Sequence, residues 1–227
     1  MAGRTMEISR RGQLLIICLE GINGSGKTSL AQTLIGCWIA DGGRSAAKAE
    51  PVVSTQFGRD VRTAIMDTEG LNPEAEALAF AASRLQAAAG IRAADEALIV
   101  LERWAGAVVA YGNVAGTHPP LLSALESVLS AAVPVDYTIL VDVPGSTADE
   151  RLAVQSDTNR FETQGAAYLE RVRQSYLDWS RTRECAVVSG QLPQEEAVTW
   201  ATEFLASVRS GRPLPTNPDY VASPENQ

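Results

Sequence analysis

The chain has 227 residues, 45% of them hydrophobic, so it is long enough to bury the core of one α/β domain. Its formal net charge is −8 and its longest basic run is Arg10-Arg11, which argues against a nucleic-acid partner. The three cysteines lack metal-ligand spacing, and no signal peptide or membrane span is evident. We therefore expect a cytoplasmic protein with reduced thiols and no membrane partner.

Short apolar runs that are typical of buried strands alternate with longer helical patterns along the chain. The predicted strands cover residues 14–19, 45–49, 97–101, 137–143 and 185–188. The predicted helices cover residues 28–40, 73–96, 121–132, 148–154, 166–183 and 194–208. Five strands separated by helices predict an α/β fold, with a five-stranded parallel sheet flanked by helices on both faces. Such a sheet binds ligands at the carboxyl ends of its strands.

The two ends of the chain differ in composition from the part between them. Residues 1–12 are charged, and the last 17 residues contain four prolines without an apolar period. We expect residues 1–12 to form a flexible arm, residues 13–209 to form the domain, and residues 210–227 to form a flexible tail.

A glycine-rich segment directly follows the first predicted strand and opens the first predicted helix. Its sequence, Gly21-Ile22-Asn23-Gly24-Ser25-Gly26-Lys27-Thr28, fits the phosphate-binding pattern G-x-x-x-x-G-K-[ST]. Such a loop directs backbone N–H groups at phosphates, while the lysine adds a positive charge and the threonine a hydroxyl for Mg²⁺. We predict a nucleoside triphosphate site whose ligands are Gly21, Asn23, Gly24, Ser25, Gly26, Lys27, Thr28 and Ser29.

Five segments, in order along the chain, resemble the motifs of the thymidylate kinase family. They are Glu20 to Thr28 (E-G-x-D-G-x-G-K-T), Ala49-Glu50-Pro51 (R-E-P), Phe80 to Gln86 (F-A-A-D-R-x-Q), Glu102-Arg103-Trp104 with Tyr111 and Gly112 (D-R-Y and A-Y-x-G), and Asn159-Arg160-Phe161-Glu162 (D-R-F-E). The resemblance covers residues 14–205. It implies a P-loop kinase with a small lid near residues 151–163, with ATP and Mg²⁺ as cofactors and a homodimeric assembly.

Four of these residues are expected to take part in phosphoryl transfer. Transfer between two anions depends on alignment and on neutralising charge, which lysine, arginine and Mg²⁺ provide. We expect Lys27 to bridge the donor phosphates and Arg103 to hold the migrating group. The resemblance implies a role for Glu102, with Thr28, at Mg²⁺, and Arg160 is the remaining lid cation. Two alternatives stay open: Arg103 could form only a surface ion pair, and Glu102 could simply pair with Arg103.

The expected acceptor site combines an aromatic surface with hydrogen-bond donors. Phe80 and Arg84 are four residues apart on one helix face, so a base could stack on the ring while the guanidinium reads its polar edge. Core filling is the alternative for Phe80. The remaining expected acceptor residues are Asn23, Glu50, Pro51, Arg103, Trp104 and Tyr111; for Trp104 and Tyr111, packing is equally compatible with the sequence.

Several positions depart from the family pattern. Asn23 stands in place of an acid, Ala49 in place of an arginine, and Ala153 and Gln155 in place of lid arginines. We expect ATP-dependent phosphorylation of a nucleoside monophosphate, and dTMP or a related pyrimidine nucleotide is the first choice of acceptor. The missing charges leave two alternatives open: a kinase for an unphosphorylated or modified nucleoside, and a nucleotide-binding regulator without catalysis.

Overall fold

The computed structural model describes residues 14–154 and 164–215 of the chain. The strands are β1 Leu15–Glu20, β2 Ala46–Ala49, β3 Leu98–Glu102, β4 Tyr137–Asp142 and β5 Cys185–Ser189. The helices are α1 Lys27–Ala40, α2 Gln56–Asp67, α3 Pro73–Arg92, α4 Ala105–Ala115, α5 Pro119–Ala132, α6 Gly145–Ala153, α7 Gly165–Arg181 and α8 Gln194–Ser210. The predicted strands are all present, and each of their boundaries lies within one residue of its predicted position.

The five strands form one parallel sheet in the order β2-β3-β1-β4-β5. Strand β1 lies at its centre, and all six of its residues are buried because helices cover both faces. Helices α1 and α8 pack on one face, where Leu34 and Phe204 are fully buried. Helices α3, α4 and α5 pack on the other face around Leu101 and Leu129. The predicted α/β fold, with a five-stranded parallel sheet flanked by helices on both faces, is therefore confirmed.

Two helices were not predicted from the sequence. Helix α2 is rich in polar residues, and its start is set by Thr55, whose side chain accepts a hydrogen bond from Gly58 N at 3.0 Å. Helix α4 contains two glycines, which lowered its apparent helix propensity. Gly106 is required there, because a Cβ would lie 2.9 Å from the Glu20 carboxyl carbon.

The candidate site residues lie at one edge of the sheet, where the parallel strands have their carboxyl ends. β1 runs into the glycine-rich loop, β3 ends at Glu102, and β5 ends beside Gly190. A Cβ on Gly190 would lie 2.1 Å from Ser25 O, so glycine is needed for the loop to approach β5. The sheet thus brings three separate chain segments to one site.

The expected boundary segments lie mostly outside the described residues. This holds for the arm at 1–12, for lid residues 155–163 and for tail residues 216–227. Within the described part of the tail, Leu214 packs against the core beside α8. No helix in the described ranges is both long and apolar enough to cross a membrane.

Candidate active site

The glycine-rich loop has a backbone that only glycines adopt readily. Gly24 and Gly26 have φ values of 74° and 92°, in the left-handed region. A Cβ on Gly24 would also lie 2.7 Å from Ala148 O, and one on Gly21 would lie 2.4 Å from Val141 O. These close contacts hold the loop against β4 and α6, directly before the N-terminus of α1. The resulting cradle of N–H groups fits an anionic phosphate chain.

Lys27 is held inside this cradle. Its side chain is 6% exposed, and Nζ donates to Ile22 O at 2.6 Å and to Ser25 Oγ at 3.1 Å. Burial, reinforced by repulsion from Arg103, lowers the pKa of Lys27 well below its usual value. A phosphate bound in the loop would supply the counter-charge that the surrounding carbonyl and hydroxyl oxygens lack.

Hard oxygen ligands lie next to the loop. Thr28 Oγ1 donates to Glu102 Oε2 at 3.0 Å, which joins the start of α1 to the end of β3. A hydroxyl and a carboxylate are the kinds of oxygen that Mg²⁺ accepts beside phosphates, so these two residues fit the expected metal site. The carboxylate also pairs with Lys48, whose Nζ lies 2.9 Å from Oε1. The sequence analysis did not include Lys48, although its charge in an alanine-rich strand was visible.

Arg103 lies at the centre of the site in an unusual backbone conformation. Among the described residues it alone combines a side chain with a left-handed φ, of 66°. Its Nη1 donates to Tyr176 Oη at 3.2 Å and its Nη2 donates to Asn23 Oδ1. Burial acts to lower the pKa of Arg103, but Tyr111, Tyr176 and a nearby carboxylate raise it above its usual value, so the guanidinium stays charged.

Glu20 holds the strained segment in place. The carboxylate is 1% exposed, and its two oxygens accept from Trp104 N at 2.8 Å and from Tyr176 Oη at 3.2 Å. Because Tyr176 also contacts Arg103, the buried carboxylate sets the position of the guanidinium through one intervening hydroxyl. The sequence analysis quoted Glu20 in its first motif but gave it no role. An acid at the end of an apolar strand was the available signal.

Phe80 and Arg84 form one wall of the same cavity. Arg84 is 4% exposed, its Nη1 donates to Phe80 O at 3.1 Å, and its guanidinium lies 5.8 Å from the ring centroid. Its buried Nε has no hydrogen-bond partner among the described residues. Phe80 is half-buried and lines the cavity, so it does not belong to the closed core. The two side chains offer a ring face and an unsatisfied donor to a ligand.

The cavity has a volume of about 710 Å³ and joins the loop to this wall. Two further arginines line it that were not among the expected site residues. Arg62 comes from α2, which was not predicted. Arg151, at the end of α6, donates to Gly24 O at 3.1 Å and to Gly190 O at 3.0 Å. Arginines from α2 and from α6 therefore add positive charge to the cavity lining.

Comparisons with known proteins agree with this geometry. The sequence model of the family "Thymidylate kinase" matches residues 19–200. The chain belongs to the thymidylate kinase family. It is 34% identical over 203 residues to a thymidylate kinase of Cupriavidus necator, covering 85% of this chain and 93% of that protein. It is 32% identical over 179 residues to a thymidylate kinase of Nitratidesulfovibrio vulgaris, covering 73% and 80%. A Synechococcus thymidylate kinase is 33% identical over 189 residues, covering 77% and 89%.

The fold of this thymidylate kinase family member places most of the expected site residues at the cavity. The lining includes Asn23, Gly24, Gly26, Lys27, Thr28, Ser29, Glu50, Phe80, Arg84, Glu102, Arg103 and Tyr111. The Tyr111 hydroxyl donates to Asn23 Oδ1 at 3.2 Å, and the Tyr111 ring lies 5.2 Å from the Arg103 guanidinium. The motifs at Asn23, Arg103 and Tyr111 thus meet although they are far apart in the chain.

Other expected residues lie behind the cavity surface. Trp104 is 2% exposed, and its Nε1 donates to Leu129 O at 3.0 Å within the core. This placement favours the packing role that the sequence left open for Trp104. Gly21, Ser25 and Pro51 are also buried. Arg160 lies outside the described residues.

Proposed function

We propose that the protein transfers the γ-phosphoryl group of ATP to the monophosphate of dTMP, giving ADP and dTDP. The observation that carries the proposal is the continuous cavity that joins the phosphate loop to the Phe80–Arg84 wall. Arg103 lies between these two ends, where a migrating group would pass. The curated relatives are named thymidylate kinases, which supports the same acceptor for this chain.

The donor half of the cavity fits ATP. The loop N–H groups and Lys27 would bind the β- and γ-phosphates. Arg151 already spans the loop and the end of β5, so it would lie beside the donor nucleotide. Thr28 and Glu102 would hold Mg²⁺, directly or through water. When bound, Mg²⁺ supplies positive charge that neutralises the donor phosphates.

The acceptor half fits a pyrimidine nucleotide. Phe80 would stack on the base, and the unsatisfied Nε–H of Arg84, together with its other N–H groups, would donate to the carbonyl oxygens of thymine. Tyr111, beside Asn23, would lie near the sugar. Arg62 would bind the monophosphate. Arg62 would then supply the positive charge that the neutral Ala49 cannot offer to the acceptor phosphate.

The transfer needs no covalent intermediate with the protein. An oxygen of the dTMP phosphate attacks the γ-phosphorus while the bond to the β–γ bridging oxygen breaks, and that oxygen leaves as ADP. Lys27 and Arg103 would hold the two phosphates in line and neutralise the charge between them. Arg160, from the expected lid, would be a further positively charged residue in this step.

Acceptor-dependent ADP release tests the proposal. With ATP and Mg²⁺, we expect turnover with dTMP to exceed turnover with dUMP, dCMP, dAMP, dGMP and thymidine. A preference for thymidine would favour the nucleoside-kinase alternative, in which no acceptor phosphate is bound. Absence of acceptor-dependent ADP release with every compound would favour the non-catalytic regulator.

We also propose a homodimer, because the family resemblance implies one. Light scattering on the purified protein tests this assembly. A mass of 24.1 kDa, that of a single chain, would contradict it.

A further inference from the structure

Lys48 is one of only two lysines in the chain, and both contact the candidate donor site. Its strand, β2, pairs with β3 so that Lys48 lies opposite Val100 and Ala49 lies opposite Leu101. Successive side chains of a strand point to opposite faces of the sheet. Ala49 accordingly packs among the residues beneath α3 and α5, whereas Lys48 reaches Glu102 on the face that carries α1. Lys48 therefore adds positive charge on the donor side of the sheet. Because its side chain points to the face opposite that of residue 49, it does not take the place of the arginine that the family pattern has there.

Glu102 lies between an ammonium group and a hydroxyl group that come from different elements. Its Oε1 lies 2.9 Å from Lys48 Nζ, and its Oε2 accepts from Thr28 Oγ1 at 3.0 Å. The Glu102 side chain is 8% exposed, but that of Lys48 is 34% exposed, so one end of the pair remains in contact with solvent. The carboxylate expected at the metal is thus already partly neutralised by the protein itself.

We propose that Lys48 and the divalent cation of the donor site share the Glu102 carboxylate. Lys48 then sets how strongly nucleotide binding depends on the cation; this inference rests on the proposed function. A nucleotide bound without metal keeps the positive charge of Lys48 nearby. A divalent cation, in turn, meets a carboxylate whose negative charge is already partly offset, so it binds more weakly than it would without Lys48.

Lys48→Met removes the charge while keeping a long apolar stem, and Arg44→Met is its matched control. Arg44 is exposed and precedes the same strand at its far end, so its charge is largely screened from the site. Two binding constants are measured for each variant. Calorimetry with EDTA gives the affinity for a non-hydrolysable ATP analogue, and electron paramagnetic resonance gives the affinity for Mn²⁺ at saturating analogue.

The two constants should move in opposite directions in Lys48→Met. We expect metal-free analogue binding to weaken about two- to fivefold and Mn²⁺ binding to tighten by a similar factor, as for a partly exposed ion pair. Arg44→Met should change neither constant. Glu102→Gln provides a second variant: with Lys48 released from the carboxylate, metal-free binding should tighten and Mn²⁺ binding should weaken.

Opposite changes in the two binding constants distinguish a shared carboxylate from a role in which Lys48 only holds Glu102 in position. If Lys48→Met weakens both constants, or changes neither, the shared carboxylate is wrong. If Lys48→Met does not fold, a Glu102→Gln variant with unchanged constants contradicts the proposal by itself. Failure of the wild-type protein to bind the analogue would instead contradict the proposed function, because the donor site itself would be absent.

Discussion

Replacement of Arg84 by methionine tests the acceptor wall most sharply. The guanidinium is buried, and its Nε has no partner among the described residues, so the free protein gains little from this charge. Bound dTMP would supply the missing acceptor. A hydrogen bond to a charged group contributes about 1.5–3 kcal/mol, which corresponds to a loss of about 10- to 150-fold in kcat/KM for dTMP. The melting temperature should stay unchanged or rise, because a buried cation is removed.

The assay is steady-state ADP release with dTMP, combined with a thermal melt of the same protein. Arg92→Met is the control, because Arg92 ends the same helix and donates to Ala132 O, outside the cavity. Its kcat/KM should match that of the wild type. If Arg84→Met keeps kcat/KM within twofold of the wild type, or loses activity only in proportion to its stability, the guanidinium does not read the base.

Three further variants and one pH series test the remaining site. Lys27→Ala should abolish transfer with an unchanged melting temperature, and near wild-type turnover would refute the phosphate loop. Arg103→Ala should weaken dTMP binding by about 1.5–3 kcal/mol while ATP affinity hardly changes, which calorimetry checks. Tyr176→Phe, which frees both Glu20 and Arg103, should lower kcat about 3- to 10-fold with little change in the KM for ATP; a change in KM alone would count against a positioning role. Because burial lowers the pKa of Lys27 in the free protein and phosphate would raise it, ATP binding should take up a proton and weaken as pH rises between the two values. Calorimetry in buffers of different ionisation enthalpy measures this uptake over a range of pH, and its absence throughout that range would contradict a lowered pKa of Lys27 in the free protein.

The sheet and the donor loop could be predicted because their signals are local. The runs of β-branched and leucine residues indicate the buried strands directly, and the glycine spacing indicates the loop. The need for glycine at Gly24 and Gly26 follows from their left-handed φ values, which the motif already implies. The edge of the sheet at which the site lies follows from the parallel topology alone.

The rest of the site depends on tertiary contacts that one sequence does not encode visibly. Arg62 lies on α2, which was not predicted because its sequence is rich in polar residues. Lys48 reaches Glu102 only because β2 pairs beside β3 in one particular register. Trp104 adjoins Arg103 in sequence, but the left-handed backbone at Arg103 and the bond from Trp104 N to Glu20 direct the indole into the core.

Formation of dTDP tests the central claim most directly. The purified protein is incubated with ATP, Mg²⁺ and dTMP, and the nucleotides are separated by chromatography and identified by mass. The account predicts dTDP and ADP in equal amounts, with neither formed when Mg²⁺ is chelated or when Lys27→Ala replaces the wild type. ADP without dTDP, or no turnover of dTMP by a protein that binds ATP, would contradict it.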